Sequence, residues 1–194
     1  MAAGRAGVAG FADGPALGGA LFNVPTSLLY HPGTGAVYTV EGSNSALRVV
    51  SGGAVTTLVG GAGYRSYLVD GVSPAATPGS VRQMAWERGY TSFLYVTLQH
   101  TLARYTLATG AITTLAGGGA AGPANGVGTA AQFNQLGGIC LTTNGDTVYA
   151  TEVVGHRVRS VALPSLVVGA VAGVYTTPGL ADGAPGLFNF PSSC

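Results

Sequence analysis

The chain has 194 residues, 47% of them hydrophobic and only 8% charged, with 33 Gly and 10 Pro scattered between apolar runs. That composition supports a folded core and excludes a disordered or collagen-like polymer, since Gly has no three-residue period. All 8 basic residues are Arg, against 7 acidic ones and a net charge of +1, which excludes a Walker phosphate loop, a Schiff-base lysine and a lysine general base, and leaves no basic patch for nucleic acid.

Residues 1–10 are small and lack the strongly apolar core of a leader, so they are not read as a signal peptide. Ala12-Asp13-Gly14 then introduces a word that returns as Val69-Asp70-Gly71, Ala124-Asn125-Gly126 and Ala181-Asp182-Gly183, in steps of 57, 55 and 57 residues. Phe22-Asn23 returns as Phe133-Asn134 and Phe188-Asn189, whereas the second copy has Ser80-Val81 in that region. Periods of this size point to solenoids or propellers.

Within the first unit, Thr26–Tyr30, Ala36–Glu41, Ala46–Val50 and Val55–Val59 read as strands, separated by His31-Pro32-Gly33, Gly42-Ser43-Asn44-Ser45 and Gly52-Gly53. Their β-branched and aromatic content and tight turns predict an antiparallel meander. The second unit offers Phe93–Thr97, Leu102–Tyr105 and Ala111–Ala116 after a drifted, longer front loop at 63–82. The third offers Gly138–Thr142, Asp146–Glu152, Arg157–Val161 and Leu166–Ala172, its first turn carrying the hairpin pair Asn144-Gly145. Val161–Tyr175 is the most apolar stretch, but it is too short and too broken for a spanning helix. The predicted organisation is the end of a preceding blade and a loop at 1–23, blade 1 at 24–60, loop and blade 2 at 61–117, loop and blade 3 at 118–173, and the start of a truncated fourth at 174–194.

Ala-Asp-Gly, Phe-Asn-x-Pro, Val37-Tyr38-Thr39-Val40-Glu41, Val148-Tyr149-Ala150-Thr151-Glu152, Gly155-His156-Arg157-Val158-Arg159 and Val55-Thr56-Thr57-Leu58-Val59-Gly60 recur in one order. This combination resembles the NHL repeat across essentially the whole chain. The resemblance implies an all-β fold, a β-propeller segment of about three four-stranded antiparallel blades in an incomplete ring, most often six-bladed in that family. Three blades fall short of the roughly 4 to 8 that close a ring. The expectation is therefore a piece of a longer propeller, with self-association of two half-rings as the alternative, and a lean towards an extracellular setting.

Residues that recur in every unit read as frame: Asp13, Asp70, Asn125 and Asp182 as turn acceptors, Glu41 and Glu152 as partners of Arg48, Arg104 and Arg159, which share one slot in the word pattern. One acid per unit would hold calcium only if a ring brought several together, and His31, His100 and His156 lack a zinc spacing. No catalytic residue, metal ligand or cofactor is predicted; calcium or zinc enters only with the alternative of a propeller lyase or lactonase. Unrepeated residues are the binding candidates: Tyr64, Arg65, Tyr67, Trp86, Arg88 and Tyr90, with His156, which the repeat pattern also accommodates. Aromatics beside Arg are typical of binding hot spots, although Trp86 also suits blade packing. Cys140, in an apolar run, reads as a buried thiol. The expected function is a non-catalytic scaffold for a protein, peptide or glycan partner, with DNA excluded and RNA a distant third.

Overall fold

A computed structural model describes residues 3–61, 63, 67–180 and 182–183. They form three antiparallel sheets, each built from consecutive strands. Blade 1 contains β1 (Gly14–Pro15), β2 (Pro25–Tyr30), β3 (Val37–Glu41), β4 (Ala46–Ser51) and β5 (Ala54–Gly60). Blade 2 contains β6 (Gly71–Val72), β7 (Val81–Trp86), β8 (Phe93–Leu98), β9 (Leu102–Thr106) and β10 (Ala111–Ala116). Blade 3 contains β11 (Gly126–Val127), β12 (Leu136–Leu141), β13 (Thr147–Glu152), β14 (Arg157–Ala162) and β15 (Val167–Ala172). In each, the last four strands form the predicted meander, and the first, two-residue strand adds to its outer edge.

That edge strand corrects the four-stranded expectation. The Asp-Gly word is strand as well as turn, because its carboxylate clips the outer strand. Asp13 accepts the Thr57 N–H and hydroxyl at 2.9 Å each, and Asp70 accepts the Thr114 N–H at 3.0 Å and its hydroxyl at 2.8 Å. Gly14 and Gly71 follow at φ +137°, a conformation that costs a side-chain-bearing residue more than glycine.

Strands β2, β7 and β12 lie side by side, and the blades fan outward from them as an open arc. Each blade has a rear face towards its predecessor and a forward face towards its successor. Val40, Leu47 and Val59 on the forward face of blade 1 meet Met84, Leu94 and Tyr105 on the rear face of blade 2. Tyr95 and Leu102 on the forward face of blade 2 meet Leu136, Val148 and Val161 of blade 3, with Phe133 of the connecting segment between them. Burial on both faces explains why Phe-Leu-Tyr-Val-Thr-Leu in β8 is a continuous apolar run, without the alternation of a half-exposed sheet.

Register reveals a second correction. Arg48 pairs with Thr39 and Arg159 with Ala150, both on the rear face, whereas Arg104 pairs with Tyr95 on the forward face. The residue of blade 2 facing Val96, the counterpart of Thr39, is Ala103. Arg104 therefore does not share the slot of Arg48 and Arg159. Its guanidinium lies over Phe93, 4.6 Å from the ring centre.

Candidate functional site

At the end of the arc bearing the turns between first and second strands, the inner strands of all three blades frame an open groove of about 500 Å3. Leu29, Met84, Ile139 and Leu141 contribute apolar wall, and Trp86 to Tyr90 form one rim. Trp86 is the last residue of β7. Its Nε1–H donates to the Tyr30 carbonyl of blade 1 at 3.0 Å, and its ring meets His31 and Tyr38 edge-on with centres 5.1 Å apart. Trp86 is thus packed between blades 1 and 2 and also borders the groove.

The rim beyond Trp86 is a built turn. Glu87 Oε1 accepts the backbone N–H groups of Thr91 at 3.2 Å, Ser92, and Phe93 at 3.1 Å. This fixes the loop that carries Tyr90, at φ +60°, with its ring centre 6.0 Å from that of Trp86. Arg88 projects into solvent with its Cβ against Gly145 of blade 3, where an added methyl group would stand 3.1 Å away. Among the described residues Arg88 belongs to no ion pair. Opposite, Thr142, Asn144 and Thr147 donate to Asp146, and the hydroxyls of Thr147 and Thr142 hold its carboxyl below the ordinary carboxylate range.

Most remaining charges belong to the frame. Glu41 is fully buried and accepts from Arg48, the Asn44 amide and the Asn23 N–H, while Arg48 also reaches Asp13 at 2.8 Å and the carbonyls of Ala12 and Leu21. Glu152 accepts from Arg157 at 2.7 Å, Arg159 at 3.2 Å and the Asn134 N–H at 2.9 Å, and Arg159 also donates to Asn125 at 2.8 Å. Burial lowers the Arg159 pKa, with Glu152 opposing that shift. His156 is buried at φ +53°, the position Ser45 holds in blade 1 at +46°. His100 lies between blades 2 and 3, where burial lowers its pKa and its Nδ1 accepts the Gln135 N–H at 3.4 Å.

The groove therefore unites Trp86, Arg88 and Tyr90 but not His156 or Tyr67, the latter exposed elsewhere. Tyr64 and Arg65 lie outside the described residues, and Asp182 is exposed. Cys140 is half-buried on the groove wall, contrary to the buried thiol expected, because the inner strands face open space there. Among the described residues no three His, Cys, Asp or Glu side chains converge, and no helix is long and apolar enough to cross a membrane. The wall residues Leu29, Met84 and Ile139 were not singled out from sequence. Their signal was their shared place in the first strand of each repeat.

No protein-family model matches the chain, and no curated relative is found. Among solved structures it is similar to an auxiliary nutrient binding protein from Bacteroides ovatus, at 19% identity and TM-score 0.64, over 87% of this chain and 42% of that one. It is also similar to virginiamycin B lyase from Staphylococcus aureus, at 13% identity and TM-score 0.56, over 88% of this chain and 45% of that one. A chain of the nidogen/laminin complex aligns at 13% identity and TM-score 0.57, over 83% of this chain and 52% of that one. The chain thus spans about half the length of these neighbours or less. The neighbours are propeller-type folds, and together with the sheet order they identify this chain as a β-propeller segment of three blades in an open arc.

Proposed function

We propose that the chain is a non-catalytic propeller scaffold of the NHL kind that binds a protein or peptide segment in the groove at its inner-strand ends. The carrying observation is the convergence of Trp86, Arg88 and Tyr90 with apolar wall from three blades, in a molecule whose other charge clusters mostly serve its frame. Aromatic and Arg side chains on a fixed turn provide contact area and a directional cation at small ordering cost. A nutrient-binding protein among the structural neighbours accords with a binding role for the fold.

Trp86 is the single tryptophan, so occupancy of the groove has an intrinsic reporter. Peptides selected by panning a displayed library on the chain should change its fluorescence saturably, and Arg88→Ala and Tyr90→Ala should each weaken that binding by about tenfold or more, as hot-spot truncations do. Failure to select any peptide, together with stoichiometric zinc or calcium in the native protein, would favour a metal-dependent lyase or lactonase instead.

A further inference from the structure

Among the described residues the groove has two charged lining side chains, Glu87 and Arg88, and they stand in opposite states. The Glu87 carboxylate is engaged by its own turn, with Oε1 accepting the N–H groups of Thr91, Ser92 and Phe93. On the blade 3 side Asp146 is engaged in the same way, its oxygens taking the Thr142 and Thr147 hydroxyls and the Asn144 amide. Arg88 has no such attachment: its guanidinium enters no hydrogen bond or ion pair among the described residues. Arg48, Arg157 and Arg159, by contrast, are each paired with a buried carboxylate. The rim thus offers one uncommitted cation whose planar fork matches a carboxylate.

The neutral surroundings say what else the occupant carries. Strand β7, which leads into Arg88, lies between β2 and β12. Apolar wall therefore flanks the cation on both sides, Leu29 from blade 1 and Ile139 and Leu141 from blade 3. The Trp86 Nε1–H is already given to the Tyr30 carbonyl, so Trp86 contributes ring surface and no donor. A segment crossing the three blades meets apolar, cationic and apolar ground in turn.

We propose that the occupant of the groove is an extended peptide with one internal acidic side chain between apolar residues, its carboxylate taken by the Arg88 guanidinium. This rests on the groove being the binding site, as inferred above. An internal side chain fits better than a chain end, because wall continues on both sides of Arg88. A carboxylate fits better than a phosphate, which carries up to about two charges and is typically met by clustered Arg, whereas here a single cation stands near Glu87 and Asp146.

Four pools of acetylated, amidated heptapeptides test the proposal, with the same randomised aliphatic flanks and Glu, Gln, Lys or phosphoserine at the centre. Capping removes the terminal charges, and Trp86, the single tryptophan, reports binding by its fluorescence. At low salt the Glu pool should bind about tenfold more tightly than the Gln pool, with the Lys pool weakest, and the preference should shrink as salt rises. In Arg88→Glu the Lys pool should overtake the Glu pool, while Arg88→Lys should keep part of the original preference, having the charge without the fork. Arg88 is exposed, so neither substitution disturbs the core. Equal binding of the Glu and Gln pools, or a Glu preference that survives Arg88→Glu, overturns the acidic assignment and leaves the groove as a binding site; a preference for the phosphoserine pool overturns it in favour of phosphate. If no pool binds, the groove reading itself fails and the proposal falls with it.

Discussion

Blades 1 and 3 hold a carboxylate and a guanidinium at their buried centres, whereas blade 2 has Leu98 and Ala103 at the same places. Asn23 and Asn134 donate their backbone N–H to those carboxylates, and register puts Gly79 at their place in blade 2. The exchange is concerted, and physics gives the reason. Removing one partner strands a buried charge, while replacing the whole set with apolar groups is close to neutral. A repeat can therefore lose its charged box only as a unit.

The largest effect that breaks this comparison is expected from Arg48→Met. It leaves the buried Glu41 with only amide donors and should destabilise by about 3–5 kcal/mol, measured by urea unfolding. The double change Glu41→Leu with Arg48→Met should cost less than that single change, because it imitates blade 2. Conversely, Leu98→Glu places an unpaired carboxylate in blade 2, and the loss should shrink at low pH as the carboxyl gains a proton.

A smaller difference should separate the two clipped edge strands. Asp13→Ala removes bonds to both Arg48 and Thr57, and should cost about 2–3 kcal/mol, against about 1–2 for Asp70→Ala, which releases only Thr114. Smaller again is a titration effect at the boundary between blades 2 and 3. The folded pKa of His100 is depressed by burial, so the unfolded chain takes up the proton first as pH falls. Its contribution to stability is complete above the unfolded value near 6.5 and declines below it. His100→Gln should flatten that acid limb of stability against pH. The smallest change expected is Trp86→Phe, about 1 kcal/mol from the lost bond to the Tyr30 carbonyl, partly offset by retained ring packing.

How much of this could be read from the sequence follows from the same contrast. Strand positions were legible because β-branched and aromatic runs alternate with Gly- and Pro-marked turns. The false alignment of Arg104 was not avoidable from spacing. The turn between β8 and β9 is two residues shorter than its blade 1 equivalent, and the turn between β9 and β10 is two longer. The changes cancel over the repeat, so the word spacing looks regular although β9 is displaced by two residues; the true counterpart of Arg48 is Ala103, and Arg104, one residue further on, falls on the other face. The edge strands escaped because two residues carry no periodicity. The groove was legible on one side only: Trp86, Arg88 and Tyr90 stand out in sequence, but their apolar wall exists only once three inner strands lie together.

The division between frame charges and recognition charges is tested most directly by comparing Arg88→Ala with Arg48→Met in both unfolding and peptide titration. Arg88→Ala should stay within about 0.5 kcal/mol of wild type in stability, as exposed substitutions do, and lose binding of a selected peptide. Arg48→Met should lose stability and, while folded, retain binding. If Arg88→Ala instead binds the peptide like the wild type, or destabilises the fold as severely as Arg48→Met, the assignment of the groove is contradicted.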